Sequence, residues 1–431
     1  MKKNKFIKST IILIIGGFIT KVLGMIIKII ITRIIGTEGI GLYFLIIPTF
    51  LLLNTIAQLG LPTALNILIS KNKLDHKQLV ITASLISLFI DLCIFIILII
   101  FGNSISINLL SEKRCSLGII SIGFVLPFIS VSNMLRSYFF GKQRMYPHVI
   151  TNILEDIVRL LLIFFFLPYF LSKGISIAIA FILLTNIASE LTSILIFIFL
   201  LPNFQITKKE LKIKKKILKE LFSICLPTTG SRLIGSIGYF LEPIILTFVL
   251  IKVGYSNKFI INEYGIINGY VMPLILLPSF FTAALSNALI PIVSNNYEKK
   301  NFTLIKKKIK QAIFFSLLIG IPATIIFLII PEIPLKYIYN TNLGINYIKF
   351  LAPICLLHYI QTPISSSLQA MGKAQISLKG TFYGIIIRAT LLFTLSFLKI
   401  GIWGLILATS SSIIFVTLYD LYNVTKTLNH S

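Results

Sequence analysis

A chain of 431 residues that is 56% hydrophobic and only 13% charged cannot hide its apolar surface in a water-soluble core, since soluble domains carry about 25% charged residues. Its solvent must be lipid, and the expected fold class is an all-α polytopic membrane protein. The net charge of +26 does not call for nucleic acid, because the lysines cluster between apolar runs, where they set topology and meet anionic membrane lipids.

Lys2, Lys3, Lys5 and Lys8 precede an apolar run that continues to about Ile35 without a small-x-small cleavage site, so this segment reads as a retained first helix. Apolar runs of about 20 residues then give about twelve transmembrane helices. They cover roughly 9–35, 40–69, 78–101, 117–139, 149–171, 174–201, 221–251, 263–294, 309–331, 347–369, 377–398 and 401–424. The one long polar segment, 202–220, holds seven lysines and divides the chain into a six-helix lobe at 1–201 and another at 221–431. Alternating Leu211, Ile213, Ile217, Leu218 and Leu221 with lysines fits either an amphipathic helix on the inner leaflet or a solvated basic linker. With the N-terminus inside, 25 of the 40 Lys and Arg fall on the inner side, eight outside and seven within spans. That asymmetry predicts a cytoplasmic-membrane protein with both termini cytoplasmic.

The halves repeat one another. Gly141-Lys142 and Gly372-Lys373 each close an apolar span, and the following spans carry Arg159 and Arg388. Glu38 and Pro48 recur as Glu263 and Pro273, at a common shift of 225 positions. A membrane chain written twice predicts two lobes around a shared central path, as in transporters.

Ionisable side chains in hydrocarbon cost about 2.5–3.5 kcal/mol even on the lenient scale, so each needs a reason. Lys21 and Lys28 lie seven apart on one helix face and lack an acid at three or four residues' distance. With Arg232 and Arg388 they form an excess of cations within the spans, suited to an anionic substrate. Arg33 and Arg232 sit near span ends, where snorkelling to the interface is the alternative. Glu155 and Arg159 are i,i+4 partners and predict an internal salt bridge with a structural or gating role, which Glu38, Pro48 and Pro273 share. Asp91 and Glu190 stand alone in their spans. For Asp91, as for Glu242, a hydrogen-bonded structural acid and an ion-coupling site are both open.

Cys93, Cys115, Cys225 and Cys355 are scattered, and no metal, P-loop or dinucleotide motif occurs, so no metal, cofactor or enzyme activity is expected. Outer loops of about 15 residues or fewer leave no room for an external catalytic domain.

Several segments resemble a known family. Thr20-Lys21-Val22-Leu23-Gly24, Arg33 to Tyr43, Gly60 to Ala64, Tyr138 to Gly141, Glu155 to Arg159 and Gln369 to Lys373 resemble the polysaccharide-transport branch of the multidrug/oligosaccharidyl-lipid/polysaccharide (MOP) exporter superfamily, over almost the whole chain. The resemblance implies a MATE-like fold and a flippase for undecaprenyl-diphosphate-linked saccharides, such as a peptidoglycan precursor for cell wall or spore cortex. Lys21, Lys28, Arg232 and Arg388 would then bind the diphosphate, and a cation gradient or the membrane potential would drive the step. In related lipid II flippases the first helix carries a basic residue in a Ser/Thr-Arg-x-x-Gly setting. Lys21 stands at that position, and a lysine gives up bidentate recognition. Members of the branch commonly have fourteen spans, against twelve here. Partners implied are the lipid-linked substrate, membrane lipids and cell-wall synthesis proteins. The rival expectations are a cation-coupled multidrug antiporter on the same fold and a non-transporting scaffold of a sporulation or cell-wall complex.

Overall fold

A computed structural model describes residues 2–71, 74–142, 144–201 and 214–429, with side chains from residue 15 onward except at 227 and 231. The side chains of Lys2, Lys3, Lys5 and Lys8, and residues 202–213 of the expected linker, lie outside this description. The described residues are overwhelmingly helical, as hydrocarbon demands of a backbone that must satisfy its own hydrogen bonds.

α1 (Lys2–Gln58) is hydrogen-bonded throughout but bends at Gly36 (φ 67°, ψ −170°), so the expected break after residue 35 survives as a kink. Pro48 lies inside its second arm. Leu59 and Gly60, both at positive φ, separate α1 from α2 (Leu61–Lys71), splitting the expected second span. α3 (His76–Ser104) is capped by Asp75, whose carboxylate accepts from Lys77 N–H. α4 (Ser116–Gly141), α5 (Met145–Ser172) and α6 (Ile175–Leu200) follow the sequence spans closely. After α7 (Lys215–Val253) the expected eighth span is broken into α8 (Asn257–Gly265), a π turn, α9 (Met272–Ile275) and α10 (Ser279–Glu298), with a 54° bend where Pro273 and Pro278 remove backbone donors. α11 (Phe302–Ile329), the short α12 (Glu332–Tyr339), α13 (Ile345–Ala370), α14 (Ala374–Ser396) and α15 (Trp403–Asn429) complete the chain. Among the described residues, eight helices are long and apolar enough to cross a membrane, and the bent pair makes a ninth.

The chain packs as two units, 1–240 and 241–431. This division falls inside α7, later than the polar segment 202–220. The cause is visible in the first turns of α7, where Ile217, Leu221 and Cys225 bury against Leu65, Leu79 and Phe139 of the first unit while Lys215, Lys216 and Lys219 stay exposed. Phe139 in turn stacks on Phe197 of α6 at 5.3 Å.

Within the first unit α3 and α6 pack on α4, α5 packs on α6 and on α1, and α2 packs on α4. The second unit repeats that order with α10, α11, α13, α14 and α15 in the places of α2 to α6. The repeated Gly-Lys turns share a closing bond five residues long. Arg144 N–H donates to Phe139 O and Lys373 N–H to Leu368 O, each at 2.9 Å. The repeated acids also match in use, since each holds the entrance of its unit's fourth helix. Glu38 accepts from Arg114, two residues before α4, and Glu263 accepts from the Tyr347 hydroxyl in the first turn of α13, both at 2.5 Å.

Gly60 in the first unit is required both by its backbone angle and by its neighbours. Its φ is +61°, and a Cβ would lie 2.4 Å from Thr228 Oγ1 and 2.8 Å from the Cys225 carbonyl. Gly60→Ala should therefore cost about 2–4 kcal/mol, from left-handed strain plus overpacking. Chemical unfolding of the detergent-solubilised protein measures this, and an unchanged midpoint would contradict the close approach of α7 to the α1–α2 break.

Candidate functional site

In the first unit, α4, α5 and α6 converge on the buried carboxylate of Glu155. Its Oε2 accepts from Arg136 Nη2 of α4 at 3.0 Å and from Ser193 Oγ of α6 at 3.0 Å, while Arg159 Nη2, one turn along α5, lies 3.6 Å from Oε1. Arg159 also donates to Ser189 at 3.5 Å. Glu190, on the same face of α6, is buried beside Ser132 with its Oε2 unpartnered. The i,i+4 salt bridge expected at Glu155–Arg159 is thus present, but Arg136 is the closer partner. Sequence reading missed Arg136 because pairing rules along one helix do not reach across a hairpin. The available signal was an arginine two turns before the Gly141-Lys142 turn. Two arginines here face Glu155, Glu190 and Asp156, so both arginines have acid partners within the first unit.

Asp91 on α3 is fully buried beside Ser130 of α4, with neither oxygen hydrogen-bonded. Lys28 is half-buried, with Nζ 4.9 Å above the Phe44 ring, a cation–π contact between the two arms of α1. Lys21 is exposed, and Arg232 is exposed with Nη2 donating to Thr63 Oγ1 at 3.1 Å. Among the described residues none of these three cations has an acid partner.

In the second unit, Arg388 and Glu242 belong together, although the sequence offered them as an anion-binding cation and a separate coupling acid. Arg388 Nη2 of α14 lies 2.5 Å from Glu242 Oε2 of α7, and the Tyr264 hydroxyl donates to Oε1 at 3.3 Å. Arg388 Nε has no partner and borders a cavity of about 20 Å³ with Asn268 and Thr409, room for one water. Pro273 lies at the start of α9, next to the helix break, and Pro48 within α1.

Outside the spans, Arg114 forks onto Glu112, with Nε and Nη2 at 2.8 and 3.0 Å from the two oxygens, while Nη1 reaches Glu38. Burial pushes the Glu112 carboxyl up, but the hydrogen bonds and charge of Arg114 outweigh it and hold the group below the usual glutamate value.

These helices, their repeated packing order and their acid-paired arginines define a multi-pass membrane protein with the fold of the MATE transporters. An inward-facing multidrug resistance MATE family transporter of the MOP superfamily superposes with a TM-score of 0.74 at 16% identity, over 96% of each chain. The chain belongs to the polysaccharide biosynthesis protein family, whose model matches residues 6–297, while the MatE model matches 236–394. It is 34% identical to stage V sporulation protein B of Bacillus subtilis (strain 168), over 99% of this chain and 85% of that protein. It is 22% identical to the lipid II flippase MurJ of the same organism, over 99% of this chain and 84% of that protein.

Two predictions follow from these ion pairs. Arg136→Gln should destabilise the protein by about 3–5 kcal/mol, because Glu155 loses its nearest counterion inside the bundle. Adding Glu155→Gln should recover at least about 1 kcal/mol, so that a double-mutant cycle in chemical unfolding reads a coupling. Strict additivity would show that the pair does not interact.

Glu112 predicts a pH dependence. A carboxylate whose native pKa is depressed contributes its stability above the usual glutamate range and loses it as pH falls through the native value. The melting temperature of the parent should therefore drop more steeply than that of Glu112→Gln on acidification from pH 6 to 3, and parallel curves would refute the assignment.

Proposed function

We propose that this protein is a flippase that moves an undecaprenyl-diphosphate-linked saccharide, a lipid II-like cell-wall or spore-cortex precursor, outward across the cytoplasmic membrane by alternating access. The observation that carries this reading is the charge balance. Arg136 and Arg159 are held by Glu155 and Arg388 by Glu242, whereas Lys21, Lys28 and Arg232 have no acid partner among the described residues. Cations without counterions are what a diphosphate requires. Family membership and the similarity to a lipid II flippase support the same substrate class.

In this reading Lys21 and Lys28 are the primary diphosphate ligands and Arg232 assists. Arg388 joins only when Glu242 releases it. Glu155 and Arg159, with Arg136, hold the helices of the first unit. Glu38, Pro48 and Pro273 shape helix entrances and bends. Asp91 is the better placed of the two acids for ion coupling, since Glu242 is engaged by Arg388. The six-plus-six lobe division, the basic segment 202–220 and both termini on the cytoplasmic side complete the proposal, with the charge asymmetry of the loops as its support. The multidrug-antiporter reading is disfavoured because drug cations would favour free acids over free lysines. A scaffold would pair all its buried charges, whereas half-buried Lys28 has no acid partner among the described residues.

Lys21→Gln keeps polarity and removes the charge. A lost charge-assisted contact of about 1.5–3 kcal/mol weakens diphosphate binding roughly 10- to 150-fold. Cells relying on Lys21→Gln should accumulate the undecaprenyl-diphosphate-linked precursor, while Lys21→Arg at equal abundance should not. Equal precursor levels in the two strains would remove Lys21 from the site.

A further inference from the structure

α11 carries an exposed surface that includes none of the cations assigned to the diphosphate. Its residues split into two stripes. Ile305, Ile309, Ala312, Ser316 and Gly320 are buried against α10 and α13. On another face Lys307, Lys310, Phe314, Leu318, Ile321 and Ile325 follow one another at spacings of three and four, and all six are exposed. The polar end of this stripe opens on a groove of about 610 Å³, lined by Thr303, Lys306, Lys307, Lys310, Gln311 and Phe314 among others.

The four lysines of this turn have different fates. Lys306 donates to Asn429 at 2.9 Å and Lys308 to Gln311 at 3.1 Å. Lys307 and Lys310 point along the groove face without an ion pair or hydrogen bond among the described residues, and α11 contains no Asp or Glu. Two uncompensated ammonium groups one turn apart thus stand at the head of an apolar track. From Phe314 to Ile325 that track rises about 16 Å at 1.5 Å per residue, close to the roughly 15 Å of one hydrocarbon leaflet. Positive charge at the head and one leaflet of apolar surface below it match the two ends of a single lipid molecule.

We propose that this face is a binding site for an anionic glycerophospholipid, with the headgroup phosphate between Lys307 and Lys310 and Thr303 as a neutral donor, and with an acyl chain along Phe314, Leu318, Ile321 and Ile325. A zwitterionic headgroup adds its own ammonium beside the lysines and is held less well. The site is distinct from the diphosphate ligands assigned above, because it lies on one exposed stripe of α11 and includes none of them.

The test is native mass spectrometry of the full-length protein in detergent, titrated with phosphatidylglycerol or phosphatidylcholine. The parent should retain phosphatidylglycerol in preference to phosphatidylcholine. Lys307→Gln/Lys310→Gln should weaken the tightest phosphatidylglycerol step about thirtyfold, at about fivefold per lysine near a membrane surface. Lys299→Gln/Lys300→Gln removes the same charge from the preceding loop, off the groove, and should leave that step within about twofold of the parent on the same scale. Both variants keep the buried stripe of α11, so their melting temperatures should match the parent's. Equal retention of the two lipids by the parent, or equal loss in the two double variants, would overturn the proposal in favour of diffuse electrostatic attraction.

Discussion

A charge in hydrocarbon must find its counterion inside the chain, and that constraint orders this molecule more than any single apolar contact. Glu155 is buried within a three-helix bundle and is tolerable there because Arg136, Arg159 and Ser193 arrive from three helices. The same condition ties α7 to α14 through Glu242 and Arg388 in the second unit. Helix packing in lipid gains little from hydrophobicity, since lipid tails are as apolar as leucine, so polar contacts and close approaches carry the specificity. Gly384 illustrates the second device, since a Cβ there would come within 2.4 Å of Val416 on the neighbouring helix.

The repeat is preserved in packing order and in the jobs of matched residues, and less in their chemistry. Glu38 and Glu263 both anchor the start of the fourth helix of their unit, one through an arginine fork and the other through a tyrosine hydroxyl. Both Gly-Lys turns close with an N–H bonded to a carbonyl five residues back, but from different positions, Arg144 lying three residues after Gly141 and Lys373 directly after Gly372. The repeated position thus keeps what is held, and each half holds it with a different partner.

Helix existence was legible because the apolar runs are long and the turns between them short. The end of the first apolar run at residue 35 falls where α1 kinks, and Pro273 lies beside the break of the eighth span. What sequence could not show was partnership across helices. Glu155–Arg159 was readable because the residues share a helix face, whereas Arg136 approaches from another helix and Arg388 from a point 146 residues beyond Glu242. The packed units part at a different point from the polar segment for a related reason. Composition marks the polar segment at 202–220, but Ile217, Leu221 and Cys225 show that the following helix begins inside the first unit's core.

Sorting the cations by what each one touches changes their meaning. Counted from sequence, Lys21, Lys28, Arg232 and Arg388 form one group. In the structure Arg388 is satisfied by a carboxylate at 2.5 Å, and Lys28 rests on an aromatic face that stabilises the ammonium without cancelling its charge. An anion approaching Arg388 must compete with Glu242, while one approaching Lys28 meets a charge that is still available. The arginine fork, the better phosphate ligand in isolation, is therefore the less available one here. In the proposed site the lysines of α1 would make first contact, and a substrate held by point charges would leave more readily than one clamped by bidentate arginines, so that release would be served as well as capture.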